Sequence, residues 1–207
     1  MIAIIDYKAG NLTSVKLALE HLGVACAITR DPAVILEADR VIFPGDGAAA
    51  SAMEHLRELN LLEPLREVVA QGKPTLGICL GTQVIFDWSD EDGGVPCIGL
   101  MPGHVRKFVA PDPLCKIPQM GWNTMRFTRK HPLFEGIEND SEFYFIHSYY
   151  PAPESRDLVM GETEYADAPF ASAVGKGNLF ATQFHPERSG RVGMKLVENF
   201  TKWNGQC

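Results

Sequence analysis

Two short stretches carry side chains able to do covalent chemistry. In Gly77-Ile78-Cys79-Leu80-Gly81 a cysteine stands between glycines two positions away on either side. Thr75 to Ile78 reads as a buried strand, and a helix-compatible segment follows. A sharp strand-to-helix turn of this kind holds its central side chain above a sheet. Side chains at the two glycine positions would collide with neighbouring strands or crowd the turn. The amide of Leu80, next after the cysteine, would point at an oxyanion developing on a carbonyl that the sulfur attacks. An ordinary thiol is only about 3% ionised at pH 7, and a two-unit drop in pKa requires about 2.7 kcal/mol. A helix N-terminus supplies roughly 0.3–2 kcal/mol, so a basic partner is also needed.

That partner is at Gln183-Phe184-His185-Pro186-Glu187, where an apolar run ends. Alternation places His185 and Glu187 on the same side of the chain, and Pro186 limits how far they diverge. An imidazole beside a thiol can take a proton and later return it, while a carboxylate orients the ring. Cys79, His185 and Glu187 are therefore the candidate catalytic triad.

The elements that must hold these residues alternate in the first half of the chain. Strand-like runs are expected at Ile2–Asp6, Cys26–Thr29, Arg40–Phe43 and Pro74–Cys79. Between them, Val15, Ala18, Leu19 and Leu22 share one face of a helix, with Asn11 or Thr13 as its cap and Gly23 as its stop. A second helix is expected from about residue 60 to 71. This is the pattern of βαβ units around a parallel sheet. From about residue 105 to 184 the helical period disappears, and Phe143–Ile146, Leu158–Glu162, Phe170–Val174 and Leu179–Phe184 read as strands with mixed or antiparallel pairing. A last helix runs from about Gly190 to Trp203. The expected architecture is α/β and flavodoxin-like: a central, mostly parallel sheet flanked by helices, with a β-rich insertion on its edge.

Composition narrows the classes. The 207 residues carry Lys+Arg 19 against Asp+Glu 26, a net charge of -7, without the basic stripe of a nucleic-acid binder. No apolar run approaches the 18 or so residues of a membrane span, and MIAIIDYKAGN lacks the basic start of a secretory signal. The five cysteines, Cys26, Cys79, Cys97, Cys115 and Cys207, are scattered without a C-x-x-C pair, which suits a reducing cytoplasm. His21, His55, His104 and His131 show no metal-ligand spacing, so no metal site is expected. His147 is read as making a structural hydrogen bond. No linker divides the chain, and residues 1–207 are expected to form a single domain.

GICLGTQ and TQFHPERSG closely resemble the two catalytic signatures of class I, triad-type glutamine amidotransferases. Pro44-Gly45-Asp46-Gly47, Met120-Gly121-Trp122-Asn123, Tyr144-Phe145-Ile146-His147-Ser148-Tyr149 and the opening DYKAGNLTSV resemble, within that family, the glutaminase subunits serving imidazole glycerol phosphate synthase in histidine biosynthesis. The resemblance spans about residues 4 to 203. It implies L-glutamine as substrate, a Cys79 thioester, no cofactor, and ammonia passed to a (βα)8-barrel cyclase partner. It implies an oxyanion and substrate site at Gly45, Asp46, Gly47, Leu80, Gln83, Ser148 and Tyr149. The matching interface positions are Lys116, Trp122, Tyr144 and Arg188. Such a subunit is expected to be poorly active alone.

Three positions depart from the family pattern: Thr82 replaces the usual Met, Gln119 stands where His is frequent, and Asp46 occupies a small apolar position. A carboxylate at residue 46 would repel an oxyanion unless it points to solvent. The alternatives are a glutaminase subunit for anthranilate, aminodeoxychorismate or pyridoxal phosphate synthesis, which shares the triad, or a binding subunit whose site Asp46 silences. Gly45-Asp46-Gly47-Ala48-Ala49-Ala50 also satisfies a dinucleotide-binding fingerprint, but Glu67, at the spacing for its ribose acid, lies inside a helical pattern. The acidic run Asp87–Asp92 is read as a solvated loop.

Overall fold

Four apolar runs and their continuation at residues 179–182 build the half of the fold that bears the candidate triad. In the computed structural model, which describes residues 1–206, these are β1 (Ile2–Ile5), β2 (Cys26–Thr29), β3 (Arg40–Phe43), β4 (Thr75–Ile78) and β13 (Leu179–Thr182). They lie side by side in the order β2-β1-β3-β4-β13, and every pair is parallel. β1 and β4 are buried along their whole length, as strands covered on both faces must be. Ile2, Ile4, Ile42, Leu76 and Ile78 enter one core, with α1 (Leu12–His21) and α6 (Gly190–Lys202). Ala3, Ile5, Val41 and Phe43 enter the other, with α2 (Pro32–Glu37), α3 (Ala49–Glu58), α4 (Leu62–Ala70) and α5 (Leu80–Val84).

The sheet continues past β13 with antiparallel strands. β12 (Ala168–Lys176), β11 (Val159–Tyr165), β8 (Gln119–Phe127) and β9 (Ser141–His147) follow in that order to the far edge. A smaller sheet, in the order β10-β7-β5-β6, joins β5 (Trp88–Ser89), β6 (Val95–Pro96), β7 (Gly103–Lys107) and β10 (Tyr149–Pro153). The architecture is the expected one: a helix-flanked parallel half and a β-rich edge.

Some local expectations are corrected. The helix expected over 60–71 starts at Leu62, and two helices before it were not anticipated. Asp31 accepts from the Ala33 amide at 2.9 Å and Pro32 follows it, so α2 has an ordinary acidic cap. Ala49, Ala52, Met53 and Leu56 are buried at i, i+3, i+4 and i+7 of α3. Asn11 precedes α1 as its cap residue, but it lies in the left-handed region at φ 67 and its side chain makes no capping bond. That side chain is used elsewhere.

Candidate active site

Parallel strands end at the same edge of a sheet, and the loops leaving that edge converge. Here the loops following β1, β3, β4 and β13 bring Asn11, Gly45-Asp46, Cys79 and His185 together from four parts of the sequence. A cleft of about 260 Å3 opens among them, lined by Asp46, Gly47, Cys79, Leu80, Gln83 and His185, with Ser148 and Tyr149 on its far wall.

Cys79 sits at the junction of β4 and α5 with φ 53 and ψ -108, a conformation that non-glycine residues rarely hold. The surroundings impose it. The Cys79 amide donates to the Thr182 carbonyl at 2.8 Å, and its own carbonyl accepts from Thr82 N at 3.0 Å and Gln83 N at 3.2 Å. A Cβ on Gly81 would lie 1.9 Å from the Phe43 carbonyl oxygen, and one on Gly77 2.9 Å from the Ala181 Cβ. Both flanking glycines are thus required by close approach. Thr82 ties the turn down, its hydroxyl donating to the Thr182 carbonyl at 2.6 Å. α5 has only five residues, so the dipole behind the sulfur is short.

His185 and Glu187 share one side of their loop, as the alternation requires. His185 Nδ1 donates to Glu187 Oε1 at 2.8 Å, and both side chains are almost wholly buried. The remaining ring nitrogen, Nε2, is buried without an aligned hydrogen-bond partner among the described residues, which leaves it for the sulfur. Burial would lower the pKa of this imidazole, but contact with Cys79 and Glu187 outweighs it and pushes the value up to about 10. The pair therefore favours the imidazolium.

The oxyanion loop rests against the Cys79 turn. Leu80 N donates to the Gly45 carbonyl at 3.3 Å, so the amide expected to face an oxyanion is taken by the loop itself. The Asp46 carboxylate, by contrast, accepts from Gly10 N at 2.7 Å, and a Cβ on Gly10 would meet it at 2.1 Å. Its charge is directed at the β1–α1 loop.

Gln83 stands one helical turn after Cys79, and its Nε2 donates to the Tyr149 carbonyl at 2.9 Å and to Gln183 Oε1 at 3.1 Å. His147 holds the same wall through Nδ1, 2.7 Å from the Tyr149 carbonyl, and burial pushes its pKa down to about 4. The interface candidates lie at the rim and beyond. Trp122 and Tyr144 are cross-strand partners on β8 and β9 with rings 6.1 Å apart, and Trp122 is 55% exposed. Arg188 Nη2 reaches Asn11 Oδ1 at 3.4 Å, and Lys116 is exposed, its carbonyl accepting from Tyr165.

Three residues escaped the sequence reading. Asn11 Nδ2 donates to Glu187 Oε1 and lies 3.1 Å from His185 Nδ1, which no local pattern around residue 11 announces. Gln183 lies behind the sulfur, wholly buried. Glu91 belongs to the acidic run read as solvated, yet it is half-buried on the cleft wall and accepts from the Ala49 amide at 2.7 Å. Burial raises its pKa, which the Ala49 amide only partly offsets. Among the described residues no group of three His, Cys, Asp or Glu side chains is arranged to hold a metal ion, and Cys26, Cys79, Cys97 and Cys115 are free thiols. Cys207 lies outside the described residues.

Comparisons with known proteins agree with this geometry. The family described as glutamine amidotransferase class-I matches residues 3–203. The chain is 46% identical over 206 residues to "Imidazole glycerol phosphate synthase subunit HisH" of Nitrosococcus oceani, covering 99% of this chain and 98% of that one. The protein of the same name from Moorella thermoacetica is 48% identical, with 96% and 93% covered. Among solved structures, one described as a glutamine amidotransferase aligns with TM-score 0.75 at 18% identity, covering 99% of this chain and 100% of that one. PurLQS from Thermotoga maritima aligns at 0.72 and 16% identity, with 97% of each chain covered.

Proposed function

The chain belongs to the class-I glutamine amidotransferase family, and from that premise we propose the following assignment of its reaction and residues. It is the glutaminase subunit of an imidazole glycerol phosphate synthase, hydrolysing L-glutamine to glutamate and ammonia for histidine biosynthesis. Relatives with that name cover nearly all of both chains at 46–48% identity. The ammonia goes to a cyclase subunit with a (βα)8 barrel, which makes imidazole glycerol phosphate and AICAR. We read residues 1–207 as one domain and its setting as cytoplasmic; no helix among the described residues is long and apolar enough to cross a membrane.

The observation that carries the chemistry is one buried imidazole, oriented by Glu187, on the same cleft as the cysteine of a strained turn. The Cys79 thiolate attacks the side-chain amide carbon of glutamine. His185 donates its Nε2 proton to the departing nitrogen, and ammonia leaves a γ-glutamyl thioester. The ring, now neutral, takes a proton from water, which opens the thioester, and glutamate departs as the thiolate reforms. The cleft, of about 260 Å3, has room for a molecule the size of glutamine. Gln83, Ser148 and Tyr149 line the place of the substrate, and Glu91 offers a carboxylate to its ammonium group.

The bond from Leu80 N to the Gly45 carbonyl supports low activity of the isolated subunit. An oxyanion can take that amide only after the Gly45 peptide moves away. The direction of the Asp46 carboxylate toward Gly10 speaks against a site silenced by charge. The β8–β9 face bearing Met120 (63% exposed) and Trp122 beside Tyr144, with Arg188 and Lys116, is the surface we assign to the cyclase. The test is glutamate release with and without a co-expressed cyclase subunit and its ligand. Turnover should rise with the partner and vanish in Cys79→Ala; undiminished turnover in that variant refutes the assignment. Co-purification with a different synthase would move the chain to another pathway.

A further inference from the structure

The reacting sulfur has a neighbour that the triad does not employ. Gln183 follows β13, its residue is wholly shielded from solvent, and its Nε2 lies 3.8 Å from Cys79 Sγ. We propose that Gln183 is a catalytic residue: a fixed amide donor that, beside His185, holds the Cys79 sulfur as thiolate. The proposal rests on Cys79 being the nucleophile.

The orientation of the Gln183 amide follows from the groups on either side of it, since the oxygen and nitrogen of an amide are told apart by their hydrogen-bond partners. The Tyr149 carbonyl can only accept, so the Gln83 atom 2.9 Å from it is the donor Nε2. The same Nε2 lies 3.1 Å from the Gln183 amide and therefore meets its oxygen. Nε2 of Gln183 is left facing the sulfur. The chain Tyr149 carbonyl, Gln83, Gln183, Cys79 thus has a single consistent direction, and it ends with an N–H aimed at Sγ.

Such a donor matters only for one form of the sulfur. As a thiol, Cys79 has its own proton to give, and the Ile146 carbonyl stands 3.9 Å away to accept it. A thiol is a weak acceptor, so Gln183 gains little from it, although buried amides are nearly always satisfied. As a thiolate, the sulfur accepts both from Gln183 and from the His185 imidazolium. Hydrogen bonds to charged groups are about twice as strong as neutral ones, more so away from water. Gln183 therefore biases the equilibrium from thiol toward thiolate before attack, and favours departure of the same thiolate when water opens the thioester. Asp46, Glu91 and His147 share the cleft with the sulfur, and beside it lies Tyr7, whose hydroxyl is buried without a partner among the described residues. Its burial, with Cys79 and Asp46 nearby, pushes its ionisation upward, so it stays neutral.

The experiment is alkylation of the intact protein with iodoacetamide at pH 6.5 and pH 9, with modification of Cys79 read by mass spectrometry. Gln183→Met keeps the volume and removes the donor; Gln183→Glu replaces the donor by an acceptor. Gln183→Met should react about tenfold more slowly at pH 6.5 and nearly as fast as the parent at pH 9, and Gln183→Glu should be slower still at pH 6.5. Equal rates at both pH values, or the same slowing at both, overturns the proposal, because the second result reports access and not ionisation. Should neither variant fold, the side-chain amide resonance of 15N-labelled Gln183 is followed against pH in the parent and in Cys79→Ala. It should move with the sulfur in the parent and stay still in the variant; identical traces overturn the proposal. Alkylation needs no glutamine turnover, so its outcome is separate from the Cys79→Ala glutaminase assay that judges the function.

Discussion

Replacing Asn11 by glycine tests the support that this residue gives to the His185–Glu187 pair. Asn11 precedes α1 with φ 67 and makes no side-chain capping bond. Glycine accepts that backbone conformation without strain, and glycine at a cap costs only a few tenths of a kcal/mol. The lost bond to the buried Glu187 carboxylate, worth about 1.5–3 kcal/mol, is the larger cost to the fold, and at about 2–4 °C per kcal/mol for a chain of this size the melting temperature of Asn11→Gly should fall by roughly 3–12 °C. Catalysis should respond to the same loss. Glu187 Oε1 accepts from both Asn11 Nδ2 and His185 Nδ1, while Oε2 is buried with no partner among the described residues. Removing Asn11 leaves a buried carboxylate with a single donor and frees it to leave the imidazole. A hydrogen bond to a charged group is worth about 1.5–3 kcal/mol. Fully expressed at the transition state, this lowers kcat by roughly 10- to 150-fold at a tenfold change per 1.4 kcal/mol. The assay is steady-state glutamate release by the assembled synthase across pH 6 to 10, with thermal unfolding measured on the same preparations. The shape of the pH profile should change with kcat, because Asn11 acts through Glu187 on the acid and base of the reaction. A kcat within twofold of the parent, or a pH profile of unchanged shape, measured well below the melting temperature of the variant, would refute the reasoning.

Other consequences follow from the same geometry. Gly81→Ala places a Cβ 1.9 Å from the Phe43 carbonyl oxygen; the strand must shift, and a loss of about 2–4 kcal/mol should appear in chemical denaturation. Glu91→Gln should raise KM for glutamine about tenfold with little change in kcat, as expected of a group that binds the substrate ammonium equally in ground and transition states. Burial holds His131 and His147 near pKa 4, below the 6.5 of the unfolded chain. The folded state thus binds fewer protons, so the stabilisation is complete above about pH 6.5 and is lost as the pH falls toward 4. Contact with Cys79 and Glu187 raises His185 to about 10 despite its burial, so its contribution is present below about 6.5 and fades as the pH rises through 10. Unfolding free energy should therefore fall on both sides of neutrality; a flat profile between pH 4 and 6.5 would contradict the buried, neutral histidines.

The chemistry-bearing residues and the parallel half of the sheet were determined by local sequence. Glycines on both sides of Cys79 mark a turn that only a close-packed backbone requires, and Gly81 against Phe43 supplies the reason. Period-two alternation sufficed to put His185 and Glu187 together, because two residues on one extended segment need no tertiary information to share a side. The strands Cys26–Thr29 and Arg40–Phe43 were legible for the same reason, as continuous apolar runs between polar breaks. α3 was equally legible, with Ala49, Ala52, Met53 and Leu56 in helical register, but lay hidden behind the glycine-rich loop.

What the tertiary structure alone decided is the company each of these residues keeps. Asn11 reads as a helix cap because caps are local, and its true partners are 174 and 176 residues away in the chain. Glu91 reads as solvated within an acidic run, and only the packing of the small sheet beside α3 brings it to the Ala49 amide and the cleft. Asp46 threatened the oxyanion until the fold placed the Gly10 amide within 2.7 Å of its carboxylate. Hydrogen bonds and charge act over a few ångströms of space, whatever the separation along the chain. A sequence therefore discloses the groups that can react, and the fold discloses what orients and restrains them.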